Sequence, residues 1–200
     1  MYILSKDGWI EVITGSMYAG KSEELIRRIK RLEYAKTNFK VFRPAIDNRY
    51  SETEVASHSG MKFESIIIKC ASEILDHIDY HTQAICVDEV QFLDSKFVQI
   101  ADDLADRGIR VICAGLDKDF RGEPFGIMPD LITKAEFVQK LTAICSVCGT
   151  PATRTQRLIN GEACDYNDPI IQVGAVEAYE PRCRHCHEVK NRPRFIKATL

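Results

Sequence analysis

Apolar residues follow two alternating rhythms along this chain. Short, β-branched apolar runs bounded by turn residues alternate with longer stretches in which apolar residues recur every three or four positions. The first rhythm predicts strands at residues 9–14, 39–43, 62–69 (with Ile66-Ile67-Ile68), 84–87 and 110–114. The second predicts helices. Residues 23–34 place Leu25, Ile26, Ile29 and Leu32 on one face. Arg27, Arg28, Lys30 and Arg31 fill much of the rest, which reads as a solvated face before a nucleic-acid contact. Residues 71–80 read as a helix, as do 95–107, with Phe97, Val98, Ile100, Ala101, Leu104 and Ala105 at helical spacing and Gly108 as its stop. Residues 44–60 are polar and aperiodic and read as a long loop, a type often functional or mobile.

Strands alternating with helices predict an α/β fold: a central, mostly parallel sheet with right-handed crossovers, covered on both faces. Ligands on such sheets bind beyond the carboxyl ends of the strands. From Cys145 the pattern changes to short strands, turns and cysteines, so a main domain over 1–140 and a small second domain over 141–200 are expected. No repeat or low-complexity segment interrupts the chain.

Composition narrows the class. The 200 residues are 45% hydrophobic and 28% charged, ordinary for a globular protein. A formal net charge of −2 argues against a broad nucleic-acid footprint. No apolar stretch approaches the roughly 18 residues of a membrane span. The first residues, Met-Tyr-Ile-Leu-Ser-Lys-Asp-Gly-Trp, lack the plan of a secretory signal, so a cytoplasmic location is expected. In a reducing compartment the eight cysteines suggest metal ligands or buried thiols.

Gly15-Ser16-Met17-Tyr18-Ala19-Gly20-Lys21-Ser22 fits the phosphate-loop pattern, and it lies between a predicted strand and a predicted helix. Glycines let successive N–H groups face an anion, and the helix start adds partial positive charge. Lys21 suits the β- and γ-phosphates, and the Ser22 hydroxyl suits Mg²⁺. The bland alternative is a glycine-rich turn before a helix. The buried run 84–87 ends in Asp88-Glu89. An acid at such a strand end helps hold Mg²⁺ in P-loop enzymes, and a neighbouring carboxylate can act as general base. The alternative is a polar strand exit.

Cys145-x-x-Cys148 and Cys183-x-x-Cys186 supply four thiolates suited to a tetrahedral, closed and therefore structural Zn²⁺ site. The 34 residues between the pairs, 149–182, exceed the usual ribbon spacing of about 15–20, so this segment makes its own excursion. His185 and His187 flank Cys186, and a histidine in its place remains an alternative ligand. Cys70, Cys86, Cys113 and Cys164 have no partners at metal spacing, and Cys86 and Cys113 read as core.

These motifs together resemble the type II thymidine kinases, cytosolic enzymes with a RecA-like P-loop domain and a small zinc-binding lasso domain. Within that group the chain is most similar to the enzymes of Gram-positive bacteria. The resemblance is carried by the Gly15–Ser22 motif, Asp47-Asn-Arg49-Tyr50, Asp88-Glu-Val-Gln-Phe92, Ala114-Gly-Leu-Asp117 with Phe120, Glu123-Pro-Phe-Gly126, the cysteine pairs and Tyr179-Glu-Pro-Arg-Cys183. It implies transfer of the γ-phosphoryl group of ATP to the 5′-hydroxyl of thymidine or deoxyuridine. Glu89 would be the general base and Arg49 would support the transfer. Gly15, Ser16, Met17, Tyr18, Ala19, Gly20, Lys21, Ser22, Asp88 and Gln91 would serve ATP and Mg²⁺. Met17, Asp47, Phe92, Leu116, Phe120, Phe125 and Tyr179 would bind the nucleoside, with the lasso residues Ile170, Ile171, Gln172, Val173 and Gly174 reading the base largely through backbone groups. From the residues alone, ordinary core packing would also account for the aromatic side chains. The resemblance further implies a homotetramer and feedback by thymidine triphosphate, with no nucleic-acid or membrane partner. Two other readings stay open from the motifs: a nucleic-acid-stimulated ATPase, and a zinc module with a vestigial P-loop.

Overall fold

A computed structural model describes residues 8–45, 54–56, 62–171 and 177–194. Its centre is a six-stranded sheet built from β1 (Ile10–Gly15), β2 (Phe39–Pro44), β5 (Ile66–Ile68), β6 (Ala84–Val87), β7 (Arg110–Gly115) and β8 (Phe137–Leu141). The strand order is β5-β2-β6-β7-β1-β8, and every pairing is parallel. All six residues of β1 and all four of β6 are buried, as expected of parallel strands covered on both faces.

Adjacent residues on each strand point to opposite faces and feed two cores. Val12, Ile85 and Cys113 join the core under α2 (Ile74–His77), α3 (Lys96–Asp106) and α4 (Met128–Lys134). Ile13, Cys86 and Ile112 join the core under α1 (Lys21–Tyr34), whose Leu25, Ile26, Ile29 and Leu32 fill it. Arg27, Lys30 and Arg31 on the outer side of α1 are exposed. Arg28 departs from the expected solvated face: its guanidinium turns inward to Glu11, Glu24 and Gln139.

Three stretches read from the sequence differ in the structure, and α4 and β8 were not read from it at all. The 44–60 stretch contains a strand, β3 (Glu54–Ala56), which pairs antiparallel with β4 (Lys62–Glu64). The expected single strand at 62–69 therefore divides at Ser65 into β4 and β5, which belong to different sheets. The helix expected at 71–80 shrinks to a 3-10 turn, Ala71–Glu73, and the single turn of α2. Asp79 explains the early stop, since its carboxylate accepts from the His81 N–H and the Thr82 hydroxyl and offers the backbone a competing turn.

After β8 the pairing turns antiparallel. β9 (Ala143–Ile144) pairs with β10 (Pro151–Ala152), and β11 (Arg154–Ile159) lies between β12 (Glu162–Ala163) and β13 (Glu177–Arg182). Among the described residues no helix is long and apolar enough to cross a membrane.

Candidate active site

The phosphate-loop motif joins β1 to α1, at the carboxyl end of the sheet. Gly15 has φ 146°, and a Cβ there would stand 2.4 Å from the Leu141 carbonyl oxygen. Gly20 has φ 84° and Tyr18 has φ 63°, so the loop curls tightly. No described side chain caps α1, leaving its first amides to face the crevice. Lys21 is buried, and its Nζ donates to the Ser16 carbonyl oxygen at 2.9 Å. Burial pushes the Lys21 ammonium below its ordinary pKa, opposed by the charges of Glu89, Asp88 and Asp117.

Asp88 follows β6 directly and faces this loop. The Ser22 hydroxyl donates to Asp88 Oδ2 at 3.2 Å, and the Glu89 N–H donates to Asp88 Oδ1 at 3.0 Å. Burial, with Glu89 alongside, pushes the Asp88 carboxyl up to about 7. Glu89 itself has φ 50°, a left-handed backbone that a non-glycine residue adopts at a cost. The buried Gln91 then links two parts of the site: its Nε2 donates to Glu89 Oε2, and its Oε1 accepts the Leu116 N–H at 3.1 Å.

The 3-10 turn after β6 (Val90–Phe92) and the segment after β7 together supply the apolar wall. Phe92 and Phe125 meet edge to face, with ring centres 5.5 Å apart. Leu116 and Phe120 are buried. Asp119 holds the turn, its carboxylate accepting from the Arg121 and Glu123 N–H groups at 2.9 and 3.1 Å. Asp117 sits between Lys118 and Lys140. Burial would raise its pKa, but these two ammonium groups hold it below the ordinary carboxylate value.

The four cysteine sulfurs of Cys145, Cys148, Cys183 and Cys186 lie within 4.8 Å of one another. Cys148 Sγ and Cys183 Sγ are 3.6 Å apart. Zinc–sulfur bonds of about 2.3 Å place neighbouring sulfurs of a tetrahedron about 3.8 Å apart, so the cluster is compatible with a zinc site. His187 is engaged elsewhere, with Nε2 2.8 Å from the Phe120 carbonyl oxygen. This cluster borders the phosphate loop. Ser16 Oγ donates to the Ala152 carbonyl oxygen at 3.3 Å, the Met17 N–H donates to Thr155 Oγ1 at 3.0 Å, and Ala19 packs against the small apolar cluster formed by Ala143, Cys145, Ala152 and Cys183.

The structure thus brings together residues 15–22, Asp88, Glu89, Gln91, Phe92, Leu116, Phe120 and Phe125. Tyr179 lies on β13, opposite Arg157 of β11. Ile170 and Ile171 are 40% and 44% exposed. Asp47, Arg49, Gln172, Val173 and Gly174 lie outside the described residues. Cys86 and Cys113 are core, as expected. Sequence reasoning missed Asp119, Thr155 and Arg157. Asp119 had a signal, an Asp three residues before Gly122 in a turn; Thr155 and Arg157, inside a strand, had none.

The family model described as thymidine kinase matches residues 8–187. Among solved structures, the chain is similar to the X-ray structure of the Legionella pneumophila ATPase DotB, with a TM-score of 0.42 and 12% identity over 74% of this chain. This chain covers 44% of that one.

Proposed function

Because the chain belongs to the thymidine kinase family, we propose that it transfers the γ-phosphoryl group of ATP to the 5′-hydroxyl of thymidine or deoxyuridine. The monophosphate so formed would enter pyrimidine deoxynucleotide salvage and DNA precursor synthesis. One observation carries the reading: Gln91 joins the Glu89 carboxylate to the Leu116 backbone, while Asp88 beside Glu89 meets Ser22 of the phosphate loop. On this reading a phosphate cradle, a base and an apolar wall for the acceptor would share one crevice.

Residues 15–22 would cradle the triphosphate through backbone N–H groups, with Lys21 neutralising charge. Ser22 and Asp88 would hold Mg²⁺, which would offset the charge that develops on the transferred group. A carboxyl held at about 7 by burial is one that a bound cation would favour in its charged form. Glu89 would take the 5′-hydroxyl proton as the new oxygen–phosphorus bond forms and the bond to the β,γ-bridging oxygen breaks, releasing ADP. Arg49 would support that transfer.

Met17, Phe92, Leu116, Phe120 and Phe125 would wall the base, with Asp47 on the sugar side and Tyr179 packing on the nucleoside. Residues 170–174 would read the base edge through their backbone. Zn²⁺ at the four cysteines would be structural, in a lasso domain over 141–200 appended to a nucleotide-binding domain over 1–140. The type II assignment, a homotetramer, feedback by thymidine triphosphate and a cytoplasmic location belong to the same proposal.

A panel of nucleosides with ATP and Mg²⁺, scored by monophosphate formed, tests it. Thymidine and deoxyuridine should be phosphorylated. ATP turnover that is equal with and without nucleoside would sink the reading, and stimulation by single-stranded DNA would replace it.

A further inference from the structure

Arg157 takes no part in the chemistry above, yet it is the largest fully buried side chain among the described residues. Its guanidinium carbon stands 3.7 Å from the centre of the Phe120 ring. Its edge reaches the other way. Nη1 donates to the Pro169 carbonyl oxygen at 2.6 Å and the Ile170 carbonyl oxygen at 3.4 Å, and Nε donates to Cys164 Sγ at 3.2 Å. Nη2 has Asp168 Oδ2 at 3.8 Å and no hydrogen-bond partner among the described residues. The His187 contact holds Phe120 from its backbone side.

Stability is a poor reason for an arginine here. Replacing a buried ion pair with an apolar group of similar size is often neutral or stabilising. A guanidinium offers what an apolar group or a lysine cannot: a flat face that stacks on a ring and an edge that forks hydrogen bonds to carbonyls. Both are used at once. Arg157 thus fixes the separation between Phe120 and the chain at 169–170, which are a wall and the approach to the base-reading segment of the proposed acceptor pocket.

We propose that Arg157 is a specificity-determining positioning residue: it sets the gap between Phe120 and the chain at residues 169–170, and so which C5 substituent on a pyrimidine base fits. This rests on the thymidine kinase reading. A single methyl group in an apolar pocket is worth about 10- to 200-fold in discrimination, so a small widening of the gap is enough to erase it.

The test compares R157K, which keeps the charge but loses the flat face and the fork, with R157M, which keeps burial without charge. Steady-state constants are measured for thymidine, deoxyuridine, a deoxyuridine with a bulkier C5 substituent, and ATP. Amide exchange is followed over residues 165–171. In both variants the thymidine KM should rise at least about tenfold while the ATP KM stays within about twofold. The thymidine-to-deoxyuridine ratio of kcat/KM should move at least about fivefold towards one, and exchange over 165–171 should quicken at least about tenfold. A kcat/KM that falls by one factor for every nucleoside, or unchanged exchange, would reduce Arg157 to packing and overturn the proposal alone. A wild-type chain that phosphorylates no nucleoside would overturn the thymidine kinase reading and this proposal together.

Discussion

Glu89 carries the clearest mark of a working position. Its φ of 50° costs about 1–2 kcal/mol for a residue with a Cβ. The cost is sustained by what surrounds it: its N–H donates to Asp88, its carbonyl oxygen accepts the Phe92 N–H at 3.1 Å, and its carboxylate accepts from Gln91. Strain held in this way at the mouth of a phosphate loop fits a carboxylate aimed at a substrate. Glu89→Gln should keep ATP affinity and lose turnover by about 10²- to 10⁴-fold in a single-turnover assay. A rate within tenfold of wild type would remove Glu89 from the proton transfer. Gln91 is the next residue out. Gln91→Met matches its length but neither donates to Glu89 nor accepts from Leu116. The expected outcome is a kcat lower by about 10- to 100-fold with the ATP KM unchanged. An ATP KM that rises while kcat holds would instead make Gln91 the nucleotide contact that the family resemblance implies.

At the scale of elements, β1 is the hub, and Glu11 shows how its neighbours are tied to it. This buried carboxylate accepts from Arg28 of α1 and Arg110 of β7, and from the Trp9 indole. Burial alone would raise its pKa. The hydrogen bonds from Arg110 and Trp9 and the charges of Arg110 and Arg28 overcome that and hold it below the ordinary 4.5. A depressed carboxylate stabilises the fold above its unfolded pKa and loses that contribution as pH falls through its folded value. Glu11→Gln should therefore cost about 2–3 kcal/mol at neutral pH in urea unfolding. The difference from wild type should shrink as pH drops below the ordinary 4.5, and a gap constant from acid to neutral pH would refute the assignment. β6 and most of β7 were legible in the sequence because strands buried on both faces read as near-continuous apolar runs, and β1 because Ile10, Val12 and Ile13 are interrupted only by Glu11. Strand β8 was not: it is a sheet edge, with Phe137 56% exposed, and lacks that run. Asp79 ended α2 through a turn that periodicity does not record. The phosphate loop, the acidic pair and the cysteine pairs were legible as fixed local spacings. Arg157 was not, because Phe120, Cys164 and Pro169 come to it from separate stretches of chain.

Across the whole molecule, the cysteine cluster and the phosphate loop share a boundary, and that has a consequence for metal removal. Cys145 and Cys148 belong to the turn between β9 and β10, whereas Cys183 and Cys186 follow β13. A metal ion at these sulfurs would join both ends of the segment that contains residues 170–171. The same framework holds the loop through Ala152 on Ser16, Thr155 on Met17, and the packing of Ala19 against the apolar cluster that includes Cys145 and Cys183. If the ion served the lasso alone, stripping it would weaken nucleoside binding and leave ATP binding intact. The shared boundary argues otherwise. Distances across it are set by hydrogen bonds and packing that need Ala152 and Thr155 in place, and coupling between such sites is typically worth about 5- to 150-fold in affinity. Chelation, or Cys148→Ser, should therefore lower the melting temperature and weaken ATP binding by at least about fivefold, with both restored when Zn²⁺ is returned to the chelated protein. Metal released on thiol modification and the affinity for a fluorescent ATP analogue, measured on the same sample, decide the matter. Full ATP affinity after complete metal loss would confine the ion's role to the lasso.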